Sequence, residues 1–235
     1  MNGAFQCTHC GACCKKETSP VNVTLGDIAR ISKFLGRPPE DIIGKEIKIR
    51  PFMDIDSPGR FELELGLPKP CHFWKDGKCS IYKARPLNCR LFPFWLFSHF
   101  TDEEVKLQTL PGYECIEISS VDEAHRKIYR EYTSRLGKVI MKESAITDEF
   151  MLNGNFQRDI FLNGEEEKID IIMEGPGPST EKVYTELVAK CETQIDNSAY
   201  ENLPKEVSKM TSNSSHASID DLELIDLLLQ GRYDQ

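Results

Sequence analysis

The chain carries four cysteines within eight residues near its amino terminus, and this run constrains the fold more than any other feature. Residues 7–14 read C-T-H-C-G-A-C-C, and a second cysteine-rich stretch spans residues 70–93. Adjacent cysteines cannot both reach one disulfide partner without strain, and clustered thiols in a reducing compartment indicate metal ligands or redox groups. We therefore predict a metal centre. Its predicted ligands are Cys7, Cys10, Cys13, Cys14, Cys71, Cys79, Cys89 and Cys115.

The spacing of the first cysteines bears on the identity of the metal. Thiolates are soft ligands that suit zinc, copper(I) and iron–sulfur clusters. Cys7, Cys10 and Cys13 reproduce the C-x2-C-x2-C spacing of bacterial ferredoxin loops, including Gly11 between the second and third cysteines. Structural zinc sites usually take their cysteines two at a time from separated loops. An iron–sulfur cluster such as 4Fe-4S is therefore the preferred cofactor, with zinc as the alternative.

The ferredoxin pattern is incomplete, so the distant cysteines must contribute. A ferredoxin loop continues to a fourth cysteine followed by proline, whereas Lys15-Lys16 stands here. Eight thiolates fit two centres of four ligands each, and the spacing does not assign thiols to either. His9 and His72 each adjoin a cysteine, but with eight thiols available we expect them to lie outside the ligand set.

Two arginines flank Cys89 and are the predicted cofactor-binding residues. Arg85 lies four residues before Cys89 and Arg90 one residue after it. A centre ligated by thiolates carries excess negative charge, which guanidinium groups can offset while donating to sulfur. The alternative is a structural salt bridge to an acid such as Asp76.

The paired motifs resemble those of a known family. C-T-H-C-G-A-C-C, followed by G-K-C-S-I-Y-K-A-R-P-L-N-C-R-L-F-P, is similar to the YkgJ-type cysteine-cluster family, which opens with CxxCxxCC. The resemblance covers about residues 5–117. It implies a zinc- or iron-chelating domain, often labelled an iron–sulfur protein, with its cysteines on the eight positions named above. At Cys115 the sequence departs from the family pattern, because no proline and glycine follow that cysteine.

Three functions fit these features. The preferred one is an iron–sulfur protein acting in electron transfer, or as an accessory to protein modification, with a redox or other protein partner. The second is a zinc-stabilised structural or interaction module. The third is a cluster-dependent enzyme that modifies proteins, because a domain of this family resembles part of the flagellin lysine methylase. No phosphate-binding glycine loop or nucleophile elbow supports the enzyme, so its status stays open.

Charge and hydropathy exclude other classes. Residues 1–150 carry 22 basic and 21 acidic side chains, and residues 151–235 carry 7 and 17. Neither part offers a basic face for nucleic-acid phosphates, so we predict no nucleic-acid partner. No apolar run reaches the roughly 18 residues that span a bilayer, so we expect no membrane span. The amino terminus lacks the basic and apolar stretches of a signal peptide, which favours the cytoplasm.

The periodicities predict an α+β fold, a small irregular cysteine-cluster domain with a β-hairpin and packed helices. A Thr24–Asp27 capping box starts a helix that ends at Gly36, and a short helix runs from Pro39 to about Lys45. Residues 47–52 and 60–65 form the hairpin, with Phe61, Leu63 and Leu65 facing inward. Further predictions are a turn at Asp76-Gly77, a strand over 105–110, a long helix capped by Ser120 and ending near Met141, and a hairpin turning at Asn163-Gly164.

Composition divides the chain into four parts. Residues 1–145 are the predicted metal-binding domain, and 146–191 an α/β extension packed on it, with a helix from Ser179 to Cys191 and Cys191 as a lone structural thiol. Residues 192–218 are rich in Ser, Asn, Glu and Lys, which predicts a disordered linker in a partly disordered acidic C-terminal extension. A short amphipathic helix is predicted over 219–230, able to dock on the core or on a partner.

Overall fold

The protein mixes helices with two small antiparallel sheets, which confirms the predicted α+β class. The computed structural model describes residues 3–15, 20–54, 56–109, 112–153, 159–173, 178–195, 198–213 and 216–230. The helices are α1 (Ala12–Lys15), α2 (Leu25–Leu35), α3 (Leu87–Leu91), α4 (Phe94–His99), α5 (Asp102–Gln108), α6 (Glu114–Glu117), α7 (Glu123–Asn153), α8 (Glu166–Met173), α9 (Pro178–Glu192), α10 (Ser198–Asn213) and α11 (Ile219–Asp226). The strands are β1 (Val21–Asn22), β2 (Lys48–Met53), β3 (Arg60–Leu67), β4 (Trp74–Lys75), β5 (Lys78–Cys79) and β6 (Asp159–Phe161). Short 3-10 helices cover Pro39–Asp41, Tyr82–Ala84 and Leu227–Gln230.

The larger sheet is built on the predicted hairpin. β2 pairs with β3 in an antiparallel register that sets Ile49 opposite Leu65, while β1 and β6 pair with the two ends of β3 on its other side. Phe61, Leu63 and Leu65 are buried, as their alternation predicts. They form one core with the apolar face of α2. This core supports the cysteine-bearing segments that follow β3.

Helix α2 begins and ends where the sequence predicts. Thr24 and Asp27 form a reciprocal capping box, and Gly36 ends the helix in the left-handed conformation at φ 62°. The segment after it is shorter than predicted, because its helical part is the 3-10 turn Pro39–Asp41.

A buried ion network joins distant parts of the chain. The Arg30 side chain is fully buried and donates to Asp27 Oδ1 at 2.6 Å and to Glu143 Oε1 at 2.6 Å. Asp27 Oδ1 also accepts the backbone N–H of Leu87 at 2.9 Å, and Glu143 Oε1 accepts that of Ala217 at 3.1 Å. One guanidinium therefore links α2, α7, the start of α3 and the residues before α11.

Two predicted strands are helices in the structure. The strand over 105–110 is helix α5, since Thr101 and Glu104 form a capping box that the sequence analysis overlooked; Leu110 lies outside the described residues. After β6 the chain turns at Asn163-Gly164 as predicted, but the expected second strand is helix α8, whose first turn carries Glu166 and Glu167.

The long helix α7 continues twelve residues beyond Met141, to Asn153. No glycine or proline interrupts residues 142–153, and Glu143, Thr147 and Met151 are buried there. Its first turn is capped by Asp122, whose carboxylate accepts the backbone N–H of His125 at 2.9 Å, and not by Ser120. Among the described residues, no helix combines the length and apolar character needed to cross a membrane.

The C-terminal part contains more packed helix than its composition predicts. Helix α9 confirms the predicted helix from Ser179 to Cys191, and α11 confirms the predicted helix over 219–230. Within 192–218, the predicted disordered linker, the structure instead has α10. Its Leu203, Val207 and Met210 are buried, so a polar composition concealed a narrow apolar stripe.

Candidate metal centre

The first cysteine run folds as a tight loop that leads into α1. His9 and Gly11 have left-handed backbone conformations, with φ 55° and 72°. A side chain at position 11 would place its Cβ 2.4 Å from the Trp74 ring, so only glycine fits there. The backbone N–H of Cys14 donates to the Gly11 carbonyl at 2.9 Å. Gly11 thus lets the loop turn while Trp74 packs directly against it.

The second cysteine-rich stretch contacts the first through the backbone. The N–H of Cys71 donates to the carbonyl of Cys14 at 2.7 Å. Strands β4 and β5 then pair, so that Trp74 lies opposite Cys79, and the connecting Asp76-Gly77 turn has positive φ at both residues. The predicted turn is confirmed, and it holds Cys79 near Cys71.

The remaining two cysteines are carried by short helices. Cys89 lies on α3, which is anchored by the Asp27–Leu87 hydrogen bond and by Asn88, whose amide donates to the Asn22 carbonyl at 2.8 Å. Cys115 lies on α6 and is buried in a separate apolar cluster that Cys10 also contacts. Cys71 and Cys79 pack instead against the main core.

We call the thiols of Cys13, Cys14 and Cys71 the inner set. The thiols of Cys79 and Cys89 lie beside this set. The sulfurs of Cys13 and Cys14 are 3.8 Å apart, and the Cys14 thiol interacts with those of both Cys13 and Cys71. Hydrogen bonding from Cys14 lowers the pKa of Cys13 and of Cys71 to about 7, and both interactions raise the pKa of Cys14. The Cys14 thiol therefore holds its proton more tightly than the thiols of Cys13 and Cys71 do.

The negative charges of Cys13 and Cys71 also act on the thiols of Cys79 and Cys89. Burial raises the pKa of the Cys89 thiol, and the charges of Cys71 and Cys13 raise it further. Burial also raises the pKa of Cys79, with Cys71 adding to the rise and the Arg85 guanidinium opposing it. Without a cation in their midst, these thiols resist joint ionisation, and a bound metal ion would remove that resistance.

The outer set consists of Cys7, Cys10 and Cys115. Burial raises the pKa of Cys115 to about 12, and the charges of Cys10 and Cys7 add to it. Burial also opposes ionisation of Cys10, but the backbone N–H groups of Ala12 and Cys115 outweigh it and lower the pKa of that thiol. Cys13 raises the pKa of Cys115 as well, so the two sets are neighbours.

Each of the eight predicted ligands interacts electrostatically with at least one other of them, whereas the ninth cysteine does not. All nine cysteines are free thiols, and Cys191 is buried in the main core, where burial raises its pKa to about 11 without help from another cysteine. In the part of the chain that the structure describes, no three His, Cys, Asp or Glu side chains already stand in the arrangement of a single-ion site. The sets must close further to ligate a metal, and their thiols are the soft donors that zinc and iron–sulfur centres take.

The two predicted cofactor-binding arginines differ in their surroundings. Arg85 lies 4.0 Å over the Tyr82 ring, and its charge favours the thiolate of Cys79. Arg90 is buried and forms a salt bridge, as the alternative interpretation held, but its partner is Asp226 and not Asp76. His72 is exposed and lies 3.5 Å from Glu46, and His9 is exposed.

Lys69 and Trp74 also contribute to the site, although neither is among the predicted site residues. The Lys69 charge lowers the pKa of both Cys13 and Cys71, and the Lys15 ammonium lies 6.0 Å from the centre of the Trp74 ring. The sequence could have indicated both residues by their closeness to Cys71, since Lys69 precedes it by two residues and Trp74 follows it by three.

The chain is 34% identical over 101 residues to an uncharacterized protein of Methanocaldococcus jannaschii, an alignment that covers 40% of this chain and 47% of the archaeal one. The chain therefore spans about half the length of that relative. No solved structure matches the chain significantly.

A family model matches residues 6–116, which include all eight predicted ligands. That model is named CxxCxxCC and described as "Putative zinc- or iron-chelating domain". The narrower YkgJ-type assignment stays a prediction. Residues 6–116 of the chain are similar to the CxxCxxCC domain family.

Proposed function

We propose that the inner and outer thiol sets bind iron as iron–sulfur clusters, and that the protein serves electron transfer or assists a protein-modifying reaction. One observation carries the proposal: the Cys14 thiol interacts with the thiols of Cys13, 3.8 Å away, and of Cys71, which comes from a separate segment. Thiols that lie close together become a ligand set once a metal displaces their protons. When bound, the cluster would supply one-electron chemistry, and the protein would supply ligands and charge compensation.

The surroundings of the thiols support a charged cofactor. Lys69 favours the thiolates of Cys13 and Cys71, and Arg85 favours that of Cys79. Cations placed beside thiolate-ligated clusters offset their negative charge and tune the reduction potential. A site that only needed packed side chains would gain nothing from them.

A protein partner would meet a positive surface beside this centre. Lys75 and Lys78 are exposed on the β4–β5 hairpin, on either side of the exposed Asp76. We propose that the partner presents an acidic face. Association should then weaken as salt is raised, and salt-independent association would contradict this.

Zinc is the second candidate, and a specific observation favours it. Cys10 contacts Cys115, whereas Cys13 contacts Cys14, so the C-x2-C-x2-C run is divided between the two sets. A ferredoxin-type loop directs its cysteines to one cluster, and structural zinc sites combine cysteines from separated loops. Zinc would make the domain a structural or interaction module.

Elemental analysis of anaerobically purified protein separates the two candidates. The iron–sulfur proposal predicts iron and acid-labile sulfide in similar amounts, with broad absorption near about 400 nm. Colourless protein carrying stoichiometric zinc and no sulfide would overturn the proposal in favour of the structural module. Protein reconstituted with iron and sulfide serves as the control for cluster loss during preparation.

A further inference from the structure

The C-terminal helix α11 lies against the segment that connects Cys79 to Cys89. Its last residue, Asp226, accepts hydrogen bonds from Arg90 and from the Tyr132 hydroxyl, the latter at 3.0 Å. Arg85 Nη2 lies 3.4 Å from the same carboxylate. Asp226 therefore connects residues on both sides of Cys89 with α7, although it is 110 residues beyond the end of the matched domain.

The Arg90 side of the Arg90–Asp226 contact is buried, so the loss of this contact should have a large effect. The Arg90 side chain has no solvent exposure, and the Asp226 side chain is 20% exposed. Arg90 also donates to the Lys83 carbonyl, which closes the segment around the guanidinium. Losing the carboxylate would leave a buried cation without its counter-charge, so the segment would have to rearrange.

That segment carries two of the predicted ligands. Arg90 directly follows Cys89, and Arg85 is the cation whose charge favours the thiolate of Cys79. Partners that orient metal ligands without touching the metal typically change metal affinity by about 10- to 100-fold when they are mutated. The Asp226 carboxylate contacts both arginines.

We propose that Asp226 is a positioning residue of the metal centre, which fixes Arg85 and Arg90 and thereby holds the Cys79 and Cys89 thiols in place for the metal. The C-terminal helix is then part of the centre and controls how long metal stays bound. This inference rests on the proposed function, because it requires that the thiols bind metal.

The reciprocal effect follows from thermodynamic linkage. If the docked helix favours metal binding, bound metal must favour the docked helix by the same factor. Amide hydrogens of α11 should therefore exchange more slowly in metal-loaded wild-type protein than after the metal has been removed. A helix that only braces the core would show no such difference.

Metal release to an excess of chelator tests the proposal in the full-length protein. Asp226→Asn should release metal about 10- to 100-fold faster than wild type, and Asp226→Glu should restore part of the difference. The matched control is Glu223→Gln on the same helix, which removes only the exposed Lys83–Glu223 pair of 3.1 Å and should release metal as wild type does.

The outcomes separate this inference from the function it rests on. Wild-type protein that binds no metal would overturn both. Wild-type protein that binds metal, with Asp226→Asn releasing it no faster than Glu223→Gln, would overturn the inference alone. Should Asp226→Asn fail to fold, hydrogen exchange of α11 in wild-type protein still decides, and equal exchange with and without metal refutes the proposal.

Discussion

Replacing Cys14 with alanine should remove metal from the inner set and leave the outer set loaded. The Cys14 thiol interacts with both Cys13 and Cys71, so its loss removes the thiol that connects these two. Changing residues that only support a ligand costs about 10- to 100-fold in affinity, and losing a ligand should cost more than about 100-fold. The metal content per protein should therefore fall markedly without reaching zero.

Two further variants, one a control and one in the outer set, are needed to interpret this result. Cys191→Ala removes a buried thiol that has no cysteine neighbour and should retain the full metal content. Cys7→Ala should lower the content through the outer set, and combining it with Cys14→Ala should abolish binding. Equal metal content in wild type and Cys14→Ala would exclude Cys14 as a ligand and the inner set as described.

Replacing Arg30 with methionine should lower the free energy of unfolding by about 3–5 kcal/mol, as expected when one member of a buried ion network is removed. Arg30 is fully buried, and its loss leaves the carboxylates of Asp27 and Glu143 without their cation. Methionine keeps an unbranched side chain, so the missing charge dominates the effect. Urea unfolding of the metal-free proteins measures the change.

Lys33→Met is the matched control, because Lys33 is exposed on the same helix and its replacement should alter the unfolding free energy by less than about 0.5 kcal/mol. A second consequence follows from the Asp27–Leu87 hydrogen bond, which anchors the helix that carries Cys89. Arg30→Met should thus also weaken metal retention. A loss of stability below about 1 kcal/mol would show that the network is not what joins α2 to α7.

Local signals in the sequence determined what could be predicted of the fold. The Thr24–Asp27 capping box, the alternation in β3 and the Asp76-Gly77 turn each depend on residues a few positions apart, and each prediction is confirmed. The error at α5 was of the same local kind, since Val105 and Leu107 alternate as in a strand although Leu107 is 86% exposed. The capping box at Thr101 was the stronger signal.

Long-range contacts could not be predicted in this way. Composition suggested a linker where α10 packs, because its buried residues, which include Leu203, Val207 and Met210, form a narrow apolar stripe in a polar sequence. In the candidate site, too, local features could be predicted and long-range contacts could not. Spacing identified eight thiols, but their separation into two sets depends on which apolar cluster each segment packs against, and Asp226 reaches Arg90 across 136 residues.

X-ray absorption at the metal edge shows whether thiols from separated segments ligate a common metal. We expect a first coordination shell made of sulfur, at about 2.3 Å if the metal is zinc. In the Cys14→Ala protein the remaining metal should keep a sulfur shell, because the outer set is intact. A shell dominated by oxygen or nitrogen in the wild-type protein would contradict the account.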